Sequence, residues 1–277
     1  MEPSYLSILP YVNCTTRSVS DYLEQHPGNM QLLQSGLIKG IMEKRFDVIT
    51  EVISTLSDFL HRNGKTYPLI LICTSTCQWS PYQAIELNNM AMKYLTFDGN
   101  IRVMCGKGCN TFSDTLGVMS REIGSGAISY GLVVNIESTD IRHHRLQSYA
   151  FFSDVCIGVE LSSKGGDFTV LGVKSCRATY KADEFHQAND LTCPSPLIKE
   201  RKNYKILTLN NFPFVQKFKF GSSDLYDHLI LNEVGVHRYG ADAFYYLQGD
   251  RAYTDNFLIH VESPPGHVNQ MLLKRNH

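Results

Sequence analysis

The stretch Ile101-Arg-Val-Met-Cys105-Gly106-Lys107-Gly108-Cys109 decides how the rest of the chain is read. Five residues of strand character run into a glycine-flanked turn, and helical spacing resumes from Cys109 to Glu122, with Phe112, Leu116 and Met119 on one side. Gly124-Ser-Gly126 stops that helix, and Ser129 to Ile136 is an apolar run of strand length. Upstream the same alternation holds. Pro68-Leu-Ile-Leu-Ile-Cys73 is a continuous apolar run expected to be covered on both faces, and Pro81 opens a helix through Ala84, Leu87, Met90, Ala91 and Leu95. Strands alternating with crossover-length helices imply a parallel α/β sheet.

Further outward the signals thin. Tyr5 to Leu9 is a short opening strand, and a helix is expected from about 30 to 60, with Phe46, Ile49, Ile53, Leu56 and Leu60 on one face and Asn63-Gly64 as its stop. Phe151 to Leu161 and Phe168 to Tyr180 are strand-like, and Ser163-Lys-Gly-Gly166 between them predicts a hairpin. Residues 183–203, polar with two prolines, form the expected loop or boundary. Tyr204 to Leu209 is a strand, Leu225 to Leu247 mixes helix and turn, and Phe257 to Val261 and Val268 to Lys274 close the chain around Ser263-Pro-Pro-Gly266. The letters themselves contain no repeat.

The whole chain sets outer bounds. Its 277 residues are enough for a large core, and 43% hydrophobic with 19% charged residues is ordinary globular composition. A net charge of −1 supplies no basic field for nucleic acid or an anionic membrane. No apolar stretch is long enough to span a bilayer and no leader pattern is visible. Eight cysteines are therefore expected as reduced thiols in a cytoplasmic protein. Cys73/Cys77 and Cys105/Cys109 are spaced more widely than the knuckles of structural zinc, so no metal is expected. Cys105 and Cys156 are expected in the core, and His143-His144 in a solvated loop.

Cys109 is the chemical centre on physical grounds. A cysteine after a strand and a glycine turn, at the start of a helix, meets unpaired N–H groups and the positive end of the helix dipole, which favour thiolate. Such a thiolate attacks a thioester carbonyl and holds the acyl group covalently. The competing reading is a small buried helix-start residue.

The ordered series from Cys73 to Leu161 resembles the first half of the ketosynthase III family within the thiolase-like condensing enzymes. The series comprises Thr74-Ser75-Thr76 after a strand, the Pro81 helix, Gly106-Lys-Gly-Cys109, Ser125-Gly126, Tyr130-Gly-Leu-Val-Val-Asn and Phe151-Phe-Ser-Asp154, where the family has Phe-Gly-Asp-Gly-Ala. Tyr239-Gly240-Ala-Asp-Ala-Phe is similar to the family's Tyr-Gly-Asn-Thr-Ser motif, and Phe257 to Lys274 to its closing strand pair. The resemblance implies an α/β, thiolase-like five-layered αβαβα fold from two related halves, 1–165 and 166–277, with the second half reduced. It also implies a dimer whose central strands pair, and an acyl-coenzyme A or acyl-carrier-protein thioester as substrate, with no permanently bound cofactor.

The family's Cys-His-Asn triad maps incompletely. His186-Gln-Ala-Asn189 matches the histidine motif in letters but follows the polar Lys181-Ala-Asp-Glu-Phe, too early in the order. The better positional match, Tyr226-Asp-His-Leu-Ile-Leu-Asn232, puts Asn232 at the histidine position. Ala241 replaces the asparagine, with Asp242 adjacent. His237 and Asp242 are then candidates for a displaced base and its orienting carboxylate. Gly108 and Gly266 are the expected contacts to the acyl donor, with Trp79, which either lines an acyl pocket at a dimer interface or simply packs there. Three functions follow: acyl transfer through Cys109, by condensation or to a small acceptor; a non-catalytic or half-competent partner of a complete ketosynthase; or a small-molecule binding module using a vestigial acyl tunnel.

Overall fold

The computed structural model describes residues 4–9, 15–18, 40–43, 49–75, 81–95, 99–137, 151–152, 154–177, 205–207, 229–230, 236–237, 239–249, 256–263 and 267–276. The first strand, β1 (Ser4–Ile8), is followed by a small antiparallel ladder of β2 (Thr15–Ser18) and β3 (Gly40–Glu43). The helix expected from about residue 30 is thus a strand at 40–43. The helical pattern is realised from α1 (Ile49–Asn63), which buries Val52, Ile53, Leu56 and Phe59 and ends at Gly64 with φ +57°. Phe46 lies outside the described residues.

The central elements follow the sequence closely: β4 (Leu69–Thr74), α2 (Pro81–Tyr94), β5 (Asn100–Cys105), a 3-10 turn (Gly108–Asn110), α3 (Thr111–Gly124) and β6 (Tyr130–Glu137). All six residues of β4 are buried, as a strand covered on both faces requires. β4 pairs in parallel with both β5 and β6.

The predicted hairpin does not form. β8 (Val155–Ser162) and β9 (Phe168–Arg177) flank β1, which pairs antiparallel with both. The glycines signalled a turn correctly, but the connection steps over a strand. Gly166 lies against the Leu6 backbone, where a Cβ would stand 3.0 Å from both the nitrogen and the oxygen.

The remaining strands are β7 (Phe151–Phe152), β10 (Lys205–Leu207), β11 (Leu229–Ile230), β12 (Val236–His237), β13 (Asn256–Ser263) and β14 (His267–Arg275). A 3-10 turn (Tyr239–Ala241) leads into α4 (Asp242–Gly249). Ten strands form one sheet in the order β11-β10-β13-β14-β9-β1-β8-β6-β4-β5.

That order contains a duplication invisible in the letters. In chain order, β1, β4, β5, β6 and β8 occupy the sheet as third-second-fourth-fifth-first, and so do β9, β10, β11, β13 and β14. The pairings repeat too: β10 is parallel to β11 and β13, and β14 is antiparallel to β13 and β9. Two strands of the second set are shorter: β10 and β11 have three and two residues where β4 and β5 have six each.

Two cores define the layers. One joins α1 and α2 to the outer face of the first strand set, through Leu56, Phe59, Ile70, Ile72, Leu87 and Val134. The other wraps α3 and α4 between both strand sets, through Phe112, Leu116, Met119, Phe244, Phe257 and Met271. Each fully buried aromatic or aliphatic side chain there contributes about 1.5–3 kcal/mol of transfer free energy. Cys109 is partly buried against this inner core. No helix among the described residues is long and apolar enough to cross a membrane.

Candidate active site

Three parallel strands, β4, β5 and β6, deliver their carboxyl ends to the same edge, where open α/β sheets place their ligand sites. β5 ends at Cys105, and the chain reverses through Gly106 (φ +94°) and Gly108 (φ +54°) before Cys109. Both glycines sit in the left-handed region, where a side chain is strained. Gly108, predicted as a donor contact, is thus fixed first by backbone conformation.

Cys109 stands in the 3-10 turn one residue before Asn110, the N-cap of α3. The turn is tied internally: Thr111 Oγ1 donates to the Gly108 carbonyl at 2.7 Å and accepts from the Lys107 N–H at 3.2 Å. Thr115 Oγ1 donates to the Thr111 carbonyl at 2.7 Å. Cys105, expected in the core, is exposed, because among the described strands β5 is the edge of the sheet and pairs with β4 alone. Cys156 is buried as expected.

The second half closes on this turn. A Cβ on Gly240 would lie 2.2 Å from the Cys109 carbonyl oxygen and 3.2 Å from Phe112 Cβ, so Tyr239-Gly240-Ala241 packs directly on the cysteine turn. The Phe112 and Phe244 rings meet 4.7 Å apart behind it. Asp242 and Ala241 are fully buried at the start of α4. Of the candidates, Cys109 and the segment carrying Asp242 are therefore brought together. His237 lies two residues before Tyr239 in β12, paired in parallel with Phe152 of the Phe151-Phe-Ser-Asp154 segment. Asn232, Trp79, Gly266, His186 and His143-His144 lie outside the described residues; Asn232 follows the outermost strand β11 by two positions.

Sequence reasoning missed the groups that hold the turn from the far side. Asp114, in the first turn of α3, accepts from Lys107 Nζ, from Ser175 Oγ at 2.6 Å and from Asn269 Nδ2 at 2.9 Å. Asn269 Nδ2 also donates to the Asn110 carbonyl at 3.1 Å. Ser175 and Asn269 are cross-strand partners on β9 and β14, both in the second half. Burial raises the Asp114 pKa, but the hydrogen bonds from Lys107, Ser175 and Asn269 and the Lys107 charge outweigh it and hold the carboxyl below its ordinary value. Nothing in the letters links Asn269 to Asp114, 155 residues away.

A buried carboxylate, Glu137 at the end of β6, accepts the Ser75 N–H at 2.8 and 2.9 Å and its hydroxyl at 2.8 Å. This fixes the Thr74-Ser75 turn after β4. The Asn135 amide, oriented with its nitrogen toward both acceptors, donates to Glu137 Oε1 and the Cys73 carbonyl at 3.2 Å each. Burial, then the charge of Glu137, pushes the Cys73 thiol well above its ordinary range, so Cys73 is inert beside the site. Among the described residues no three His, Cys, Asp or Glu side chains cluster as a metal site.

Comparison with solved structures places this geometry. 3-Oxoacyl-(acyl carrier protein) synthase III, FabH, of Pseudomonas aeruginosa superposes with TM-score 0.73 over 99% of this chain and 99% of that one, at 12% identity. The chain has the thiolase-like fold of the ketosynthase III-type condensing enzymes. ChlB3, an acyltransferase, matches at TM-score 0.68 and 13% identity over 99% of this chain and 96% of its own. OleA of Xanthomonas campestris matches at 0.70 and 11% over 98% of each chain. No family model matches the sequence, and no curated protein matches it at the level of sequence. The thiolase-like likeness thus resides in architecture, and the chemistry must be argued from this chain's own residues.

Proposed function

We propose that the chain is an acyl-transfer enzyme that carries its acyl group as a thioester on Cys109, taking it from acyl-coenzyme A or an acyl carrier protein. The observation that carries this reading is the placement of Cys109: a left-handed glycine turn presents it at the carboxyl edge of three parallel strands, and the second half packs on its carbonyl. The Cys109 thiolate attacks the thioester carbonyl, and the donor thiol leaves as the acyl–sulfur bond forms. The positive end of the α3 dipole is the chain's own support for the developing oxyanion; the expected free N–H groups are not all free, since Asn110 and Thr111 donate to the Lys107 and Gly108 carbonyls. The acyl group then passes to an amine, hydroxyl or carbanion acceptor. His237, with Asp242 as its orienting carboxylate, is the candidate proton carrier.

A second chain completes the assembly in this reading. β5 leaves one ladder edge open among the described strands, and α2 beside it exposes Tyr82, Ile85, Met92 and Tyr94. The partner is a further condensing-enzyme chain, its own copy or a complete ketosynthase. One feature favours the alternative role of half-competent partner subunit: Ala241, which stands in for the family asparagine, offers no polar side chain at a fully buried position beside Cys109.

The deciding experiment incubates purified protein with a panel of acyl-coenzyme A and acyl-carrier thioesters and measures intact mass under denaturing conditions. An acyl-sized increase that disappears in Cys109→Ala supports the enzyme. No adduct with any donor, in folded protein with an alkylatable Cys109, favours the partner-subunit role.

A further inference from the structure

We propose that Lys107 and Asp114 act as a pair of positioning residues that sets the charge balance around Cys109 and ties its turn to the second half of the molecule. Lys107 lies two residues before Cys109 and Asp114 five after it, and they are joined as an ion pair with side-chain exposures of 52% and 12%. Asp114 is further held by Ser175 of β9 and Asn269 of β14, and Asn269 grips the Asn110 carbonyl next to Cys109. The nucleophile turn, built by the first half, is thus anchored by side chains of the second.

The electrostatic consequence follows from the signs. The start of α3 carries partial positive charge from its aligned peptide dipoles, although the Asn110 and Thr111 N–H groups themselves donate to the Lys107 and Gly108 carbonyls. Lys107 adds to that positive field and Asp114 opposes it, so the intact pair leaves Cys109 with a tempered field. Removing the anion alone strengthens the positive side and favours thiolate. Removing the cation alone leaves the carboxylate and disfavours thiolate. Asp242 of α4 also adjoins the turn through Gly240, and Lys174 lies on the face of β9 opposite Ser175. Both remain unchanged in every variant below. A purely structural bracket gives a different signature: either substitution loosens the turn, and both shift reactivity in the same sense.

The inference rests on the nucleophile reading of Cys109, but its test needs no acyl donor. Native protein is alkylated with iodoacetamide across pH 6–10, and Cys109 is followed by peptide mass spectrometry, which separates it from Cys105. Asp114→Asn is expected to move the pH midpoint of Cys109 alkylation down and Lys107→Met to move it up, each by about half a unit, the size of a charge effect at a helix terminus. The double variant returns close to the starting protein. Shifts of the same sign, or none beyond about 0.2 unit, overturn the proposal. Should Asp114→Asn fail to fold, Lys107→Met and Lys107→Glu decide between them: a charge effect moves the midpoint up about twice as far in Lys107→Glu, equal shifts overturn the proposal, and Lys107 is half exposed, so neither change touches the core. Opposed shifts without an acyl adduct would remove the acyl-transfer reading while leaving this inference standing.

Discussion

Gly240→Ala tests the junction on which the site depends. The new Cβ would stand 2.2 Å from the Cys109 carbonyl oxygen, 3.2 Å from Phe112 Cβ and 3.3 Å from the Cys109 carbonyl carbon. A relaxed carbon–oxygen contact is about 3.3 Å, so roughly 1 Å must be yielded. The obstacle is backbone, held in the turn by Thr111 and Asn269, and cannot rotate away. Overpacking of this kind costs about 2–3 kcal/mol, which lowers the unfolding midpoint of a chain this size by roughly 4–10 °C. If the strain is relieved by moving the cysteine turn instead, the acylation rate falls by about 10²-fold, the expected penalty for a misplacement near 1 Å. Gly131→Ala is the control. Its Cβ would meet Met119 Sδ at 2.4 Å, an equally severe overlap, but a flexible thioether can swing aside. Thermal unfolding and Cys109 alkylation of both variants settle the matter. A Gly240→Ala protein no less stable than Gly131→Ala, with Cys109 alkylated at the original rate, would refute the packing argument.

Four further outcomes are expected. The Asp114 carboxyl is held below its ordinary value, so its stabilising contribution is present above about pH 4 and lost as pH falls through the folded value; urea midpoints from pH 3 to 6 should show a steeper acid loss in the starting protein than in Asp114→Asn. The Cys73 thiol is pushed up, so its contribution is present below the ordinary thiol value and lost as pH rises beyond it. At pH 8.5 native labelling should therefore reach Cys105 and Cys109 but spare Cys73, and labelling of Cys73 in folded protein would contradict this. Glu137→Ala strands the Ser75 N–H and should cost about 1–3 kcal/mol in urea unfolding. Ile85→Glu on the exposed face of α2 should shift the assembly toward monomer in light scattering with the unfolding midpoint of the isolated chain unchanged, and an unaltered oligomer would remove α2 from the interface.

The parts of this fold legible in the sequence are those where one local signal suffices. Pro68 to Cys73 announces a strand buried on both faces because no residue in it tolerates water, and Gly106 and Gly108 announce the turn because only glycine sits comfortably at their φ values. The misreadings come where partners far apart in the chain decide. Ser163 to Gly166 looks like a hairpin by every local rule, yet β1 comes from the other end of its half to lie between β8 and β9. Cys105 has the spacing of a core residue, but exposure depends on whether another strand follows β5 in the sheet, which spacing cannot tell. The duplication escaped for the same reason: strand order is a property of pairing, and the two- and three-residue strands β11 and β10 are too short to carry a pattern of their own in the letters.

The duplication also bears on the catalytic register. β5, which feeds the Cys109 turn, has β11 as its counterpart, and β4, which feeds the Thr74-Ser75 turn, has β10. Asn232, two residues beyond β11, therefore corresponds by place to Lys107, two residues beyond β5. Residues that converge on one point across such a repeat come from corresponding strand ends. The second half's contribution to the chemistry is thus to be sought in the segments that follow β10 and β11. The Tyr239–Ala241 turn, which comes after β11 and β12 and touches the Cys109 backbone, is the part of that contribution already in contact with the nucleophile turn. Alanine replacement at Asn232, scored by the rate at which a preformed Cys109 acyl adduct is discharged, tests the β11 end. Slowed discharge assigns the polar partner to the β11 end, and unchanged discharge removes Asn232 from that role.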